Sequence, residues 1–255
     1  MLKNKDFLVL LIRLFLGYVF FSAGICKLTH GNFGQLIGPP WLEQSLAKYG
    51  LGLFAQVVAC CQVLCGALLF TQRFSTLGAV MLVPMNVSIL AVTVSQNWTG
   101  TPYVNTVFLL LNLLLLGYEY QRFRFLFSAE AVAPAIPSRV EPLRIGRLPW
   151  AILGAALVTM VLAPFQYQLT NISGLITFGL AGAILLTSAL LSRLEKVLVA
   201  QAIVNMFLMT LGFVFPFAPM LVAANCGVIL LVLLFYIWRN GRKKERTPQL
   251  TSAAA

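Results

Sequence analysis

The chain consists largely of stretches about 20 residues long in which aliphatic and aromatic side chains follow one another with almost no charge. That length lets an α-helix cross a hydrocarbon layer of about 30 Å, and inside such a layer a helix satisfies its own backbone hydrogen bonds. Composition agrees: of 255 residues, 60% are hydrophobic and 10% charged, with a mean hydropathy of +0.89. A soluble domain carries about a quarter charged residues to keep its surface wetted, so a water-soluble globule is excluded. Disordered and disulfide-stapled secreted chains fail on the same composition. The expected fold is all-α: a polytopic integral membrane protein of about eight transmembrane helices, an N-terminal four-helix bundle plus four further helices.

Unbroken apolar stretches place spans at about 7 to 28, 51 to 71, 74 to 95 and 102 to 120, then at about 149 to 166, 172 to 192, 196 to 215 and 218 to 238. Pro216 and Pro219 divide the last two. Basic residues are retained on the cytoplasmic side of short loops, and with the N-terminus inside, sixteen of the eighteen Lys and Arg fall on that side. Only Lys27 and Lys48 fall outside, so eight spans with both termini cytoplasmic fit the pattern, and an odd count scrambles it. The start of the chain has the shape of a secretory leader, yet Arg13 interrupts its apolar core and the charge asymmetry requires it as a span.

A net charge of +11 raises the question of nucleic acid. The charges are scattered over inner loops rather than gathered on one face, and the cluster from Arg239 to Arg246 follows directly after a span, so anionic lipid headgroups suffice as partner and no nucleic acid is expected.

Residues 121 to 148 mix charge with Pro134, Pro137 and Pro142 and form the natural boundary. The chain divides into a four-span bundle over 1–127, a cytoplasmic linker over 128–148, a second four-span segment over 149–238 and a basic tail over 239–255. Four spans on each side permit a parallel duplication, although the residues display no convincing repeat. The loop over 29–50 holds an interfacial helix: Pro40 suits a first helical position, Gly50 a stop, and Trp41, Leu42, Leu46 and Tyr49 line one face. Trp98 and Tyr103 share that headgroup level.

Arg13, Gly17, Phe20, Gly24 and Lys27 recur at helical spacing and make one stripe that must face protein. An arginine well inside a bilayer costs about 3 kcal/mol, so Arg13 needs a partner, and Glu119 near the inner end of the fourth span is the candidate ion pair. Gln62, Asn86 and Asn112 sit at similar depth on spans two to four. Such amides either join helices by hydrogen bonds or grip a quinone carbonyl or another small ligand; joining is the default. Pro84 removes a backbone donor just before Asn86 and should bend that span. Asn205 and Asn225 are the counterparts in the second half.

The five cysteines form no C-x-x-C, and Cys26 lies too far along its span from Cys60 and Cys61 for a bridge. They read first as small apolar residues, with Cys26, nearest the outer side, as the candidate redox thiol. His30 is the single histidine and Glu43 the single outer carboxylate. They supply no metal site, while His30 could assist proton release. No phosphate loop, catalytic triad or paired-histidine motif occurs, and catalytic residues stay unassigned.

Linked positions across the first half carry a family resemblance: Arg13, Gly17, Phe20, Phe21, Gly24 and Lys27; Gly66, Leu68, Leu69 and Arg73; Trp98 to Thr101; and the ending Tyr118 to Arg122. Over about residues 7 to 127 the chain resembles the DoxX family of small four-span bacterial membrane proteins. That resemblance implies a compact four-helix bundle in a bacterial inner membrane. Some relatives are similar to the membrane subunit of a thiosulfate:quinone oxidoreductase, and others serve membrane thiol redox systems. Gln62 stands where the family often has an acidic residue, and residues 149 to 238 have no counterpart in it. Three functions follow as expectations. The first is an accessory for electron transfer from a thiol or sulfur donor to quinone, alongside other membrane or redox proteins, with Lys27, His30, Trp41 and the amides Gln62, Asn86 and Asn112 facing the ligand. The second is a non-catalytic scaffold and the third a small-molecule carrier.

Overall fold

A computed structural model describes residues 4–38, 41–123, 140–212 and 217–245. Most of the linker, the end of the tail and Pro40 lie outside the described residues. The elements are α1 Asn4–Leu28, α2 Leu42–Ala47, α3 Gly52–Phe70, α4 Ser75–Ser95, α5 Thr101–Tyr118, α6 Leu148–Leu162, α7 Tyr167–Leu186, α8 Arg193–Thr210 and α9 Ala218–Glu245, with short 3-10 turns at Tyr120–Arg122 and Glu141–Arg144. Among the described residues there is no strand, and the fold is all-α and polytopic.

Each apolar stretch is one helix, and local chemistry sets the ends. A capping box at Ser192 and Glu195 starts α8, three residues before the apolar run at 196. Pro102 sits in the first turn of α5, where its missing N–H costs nothing. α7 begins at Tyr167 rather than 172 because Thr170 returns its hydroxyl to Gln166 O, 2.8 Å away, and so stays helical. α9 continues to Glu245, so the basic segment from Arg239 extends a helix instead of beginning a tail. Among the described residues five helices are long and apolar enough to span: α1, α3, α4, α5 and α7. α6 and the Met220–Phe235 part of α9 are shorter apolar helices, and α8 begins with Arg193, Glu195 and Lys196.

α1 is the central helix, with two buried faces. Val9, Leu16, Val19 and Phe20 pack with Leu82 and Met85 of α4 and with Phe108 and Leu115 of α5. Phe7, Leu10, Leu14, Phe21 and Ile25 join a second core with Ile152 of α6, Phe178 of α7 and Leu198 and Ile203 of α8. The two halves of the sequence therefore share one interior. Phe178 is its hub, with the rings of Tyr18, Phe21, Phe33 and Phe70 at centroid distances of 5.2 to 6.5 Å. α1 and α3 approach closely because Gly24 and Gly66 lack side chains. A Cβ on Gly66 meets Gly17 O at 2.6 Å, and one on Gly24 meets Ala59 O at the same distance. Outward, Val80, Val87, Leu110, Leu114, Val158 and Val161 are exposed, the apolar surface a bilayer covers.

Candidate functional site

Polar side chains gather at the two ends of the bundle and in one layer between them. At the end formed by the α3–α4 turn and the end of α5, Arg13 is 2% exposed and donates from Nη2 to Glu119 Oε1 at 2.8 Å and from Nη1 to Gln72 Oε1 at 3.1 Å. Arg122 Nε lies 2.6 Å from Glu119 Oε2, and Tyr118 donates to Asp6 Oδ1 at 2.8 Å. One carboxylate thus lies between two guanidiniums, a closed network in which each charge has a partner. Next to it, Arg73 covers the rings of Phe74 and Trp150 at 5.5 and 5.9 Å.

The opposite end holds the other charge of the α1 stripe. Lys27 is 4% exposed, and its Nζ donates to Ala23 O at 3.0 Å and to Gln62 Oε1 at 3.1 Å. Among the described residues no carboxylate lies within salt-bridge distance of it. Lys27 and Gln62 line a cavity of about 60 Å³, together with Thr93, Trp98, Thr101 and Asn105. The polar lining is rich in donors and contains no acid. A cavity of that size holds a few waters or a small anion, since one water needs about 10–15 Å³ on this measure while a benzene ring occupies a cavity of roughly 150 Å³.

Other expected site residues lie elsewhere. His30, with a left-handed φ of 51°, places Nδ1 3.9 Å from Glu43 Oε2 at the surface, and Gln56 donates to Glu43 at 2.7 Å. Trp41 is half exposed and packs on Trp98 at 5.2 Å between ring centroids, an arrangement suited to the headgroup zone. Asn112 donates to Ala79 O at 3.0 Å, and Asn105 donates to Asn86 O at 2.8 Å, so both tie α5 to α4. Both amide atoms of Asn86 are buried without a partner, as is Oδ1 of Asn112. Of the expected ligand-facing set, Lys27 and Gln62 line this cavity. A quinone ring does not fit there. Cys26 is 2% exposed in the core around Phe178, a setting for an inert structural thiol rather than one an oxidant reaches.

A larger space lies on another face of α1. Between α1, α8 and α9 runs an apolar groove of about 290 Å³, whose polar points include Tyr18, Asn205 and Cys226. The Tyr18 hydroxyl is buried and forms no hydrogen bond of acceptable geometry. Its neighbours Thr210 and Ser22 give their own protons to Met206 O at 2.8 Å and Tyr18 O at 2.7 Å. Both hydroxyl oxygens keep lone pairs within reach of the Tyr18 hydroxyl. Sequence reading passed over Tyr18, Gln72 and Asn105. Gln72 carried a signal, as a polar residue closing an apolar run at the depth of Arg13. Tyr18 looked like one more apolar ring.

With this geometry in place, comparison gives the class. The DoxX family matches residues 8–95, α1 through α4. The match stops short of α5, so the ending Tyr118 to Arg122 lies beyond it. Over that stretch, about a third of the chain, this polytopic membrane protein is similar to the DoxX family. Among curated proteins it is similar to the uncharacterized protein YwoB of Bacillus subtilis (strain 168), at 26% identity over 129 residues that cover 47% of this chain and 82% of the relative. No solved structure matches significantly.

Proposed function

We propose that this protein is a membrane accessory or subunit of a redox system that passes electrons from a thiol or sulfur oxyanion to the quinone pool. It crosses a bacterial inner membrane eight times with both termini cytoplasmic. The carrying observation is Lys27: a buried ammonium that lacks a carboxylate partner among the described residues and faces a small cavity lined by other donors. A lone cation inside a bilayer is expensive, and such residues mark ligand paths. A small anion at this position neutralises it, and the cavity volume suits a thiolate head or sulfur oxyanion better than a ring. The role assigned to the chain is binding the anionic donor; electron transfer falls to partner proteins. Fold analogy alone is a weak warrant for chemistry, so the reading stands on Lys27 first and the DoxX region second.

The test is purification of the full chain in mild detergent, extraction of bound quinone, and an assay of quinone reduction with thiosulfate and thiols, with and without candidate partners. Lys27→Met should lower donor-dependent turnover at least tenfold. No bound quinone and no turnover would retire the reading. Solute flux into proteoliposomes would favour a carrier instead, and a partner cross-linked without turnover a scaffold. Reporter fusions after Trp238 and at Met1 test the topology; opposite sides would break it.

A further inference from the structure

We infer that the pocket between α2 and the α4–α5 turn is the entrance by which a small anion reaches Lys27, with the Trp98 ring as the gate between the two spaces. The inference rests on the anion reading of Lys27 and adds a second site to it. Three observations carry it. The pocket, of about 210 Å³, is lined by Trp41, Ser45, Lys48, Tyr49, Gln96 and Trp98. Trp98 also lines the cavity that holds Lys27, so one side chain is a wall of both. Over 25–56, 94–104, 162–170 and 209–219, the stretches at this end of the bundle, the sequence has just two Lys or Arg, Lys27 and Lys48, and each lines one of the two spaces. Neither lining contains a carboxylate among the described residues. Glu43 of α2 instead accepts from Gln56 at 2.7 Å and faces His30 at 3.9 Å.

Two tryptophans and a tyrosine by themselves suit a cation over a ring face. Lys48 in the same lining repels a cation, while the hydroxyls of Ser45 and Tyr49, the Gln96 amide and the indole N–H groups offer donors, so the chemistry is that of an anion site. The volumes suit a passage inward. An anion with its water shell fits 210 Å³, whereas 60 Å³ holds it with few waters. Lys48 is exposed and raises the anion concentration at the mouth; the buried ammonium of Lys27 then replaces the water left behind. Trp98 is placed to open that path. It stands in the short turn between α4 and α5, flanked by Asn97 and Gly100 at φ of 51° and 83°, and its ring rests on half-exposed Trp41. Rotation of that one side chain joins the two spaces.

The experiment reads the rates of binding. The full chain is immobilised in mild detergent, and association and dissociation of radiolabelled thiosulfate and of radiolabelled mercaptoacetate are followed by rapid filtration. Lys48→Met should slow association about three- to tenfold at low salt, the difference closing at high salt, and Lys48→Arg should restore it. Trp98→Ala should speed association and dissociation together, so that affinity moves less than either rate. Lys48 is exposed, so its variants decide the matter even where a melting curve shows that Trp98→Ala has lost its fold. Where a probe binds and Lys27→Met abolishes binding, an unchanged association rate in Lys48→Met overturns the entrance and leaves the Lys27 reading standing; unchanged rates in a folded Trp98→Ala do the same. Where neither probe binds, or Lys27→Met binds as the unsubstituted protein does, the entrance and the Lys27 reading fall together.

Discussion

The two halves of the chain hold their polar groups differently. In the first half, side chains reach across helices: Arg13 to Glu119 and Gln72, Lys27 to Gln62, Asn112 to Ala79 O, Asn105 to Asn86 O. In the second half the hydroxyls of Thr159, Thr170, Thr177 and Thr210 bond carbonyls one turn back on their own helix, and packing falls to small residues such as Gly182 against Ile203. The α8–α9 amide chain is the exception. Where lipid surrounds helices, no hydrophobic force draws one to another, so association rests on close packing and cross-helix hydrogen bonds. The first half is therefore fixed in register by specific charges, while the second keeps a softer interface, and there the large groove opens.

The strongest way to break this comparison is to cut the Arg13 network. Glu119→Gln leaves two guanidiniums facing one neutral amide, and loss of one member of a buried pair costs about 3–5 kcal/mol. A sharp fall in detergent melting temperature and in expression is expected, with partial recovery in the Arg13→Met, Glu119→Met double variant. Gly66→Ala comes next. Its Cβ meets backbone atoms of α1, Gly17 O at 2.6 Å and Phe21 N at 2.7 Å, so overpacking should cost about 1–3 kcal/mol. Gly182→Ala meets only the Ile203 side chain, at 2.9 Å, and should cost clearly less by the same melting assay. Equal losses would erase the contrast between halves.

Lys27→Met sharpens the comparison in the other direction. Removing a buried cation with no carboxylate within salt-bridge distance among the described residues relieves about 3 kcal/mol of insertion cost, against about 1–3 kcal/mol for Gln62 Oε1 left without its donor. Thermal stability should hold or rise by about 1–2 kcal/mol while donor-dependent turnover falls; a large loss of stability would recast Lys27 as structural. The smallest effect belongs to Asn225→Leu. It cuts two hydrogen bonds, one accepted from Gln201 and one donated to Asn205, each worth about 0.6 kcal/mol in a membrane, and should move the melting temperature slightly.

The helices were legible because hydrocarbon admits few backbone solutions; their ends moved where polar residues joined a helix, as at Thr170 and Arg193, and where α6 stops at Leu162 and α8 at Thr210, short of the spans drawn to 166 and 215. The Arg13 and Glu119 partnership suggested itself because a charge in lipid must be compensated, and Gln72 was missed because its left-handed φ of 55° at the α3–α4 turn is what aims it inward. The ligand-facing set was drawn by depth alone. Depth ignores azimuth: Lys27 and Gln62 line one cavity, Trp41 and Asn86 touch its wall residues Trp98 and Asn105, and the Asn112 amide donates to Ala79 O instead.

The sequence by itself determined the solvent, the all-α class and the need to pair the buried charge, since each follows from transfer energies that depend on residue type and run length. Tertiary structure decided that α1 serves both halves, that Lys27 has no carboxylate within salt-bridge distance among the described residues, and that Tyr18 lines a groove between α1, α8 and α9. Those facts depend on which faces of α1, α3, α8 and α9 meet, and the apolar pattern is too uniform around each helix to specify that.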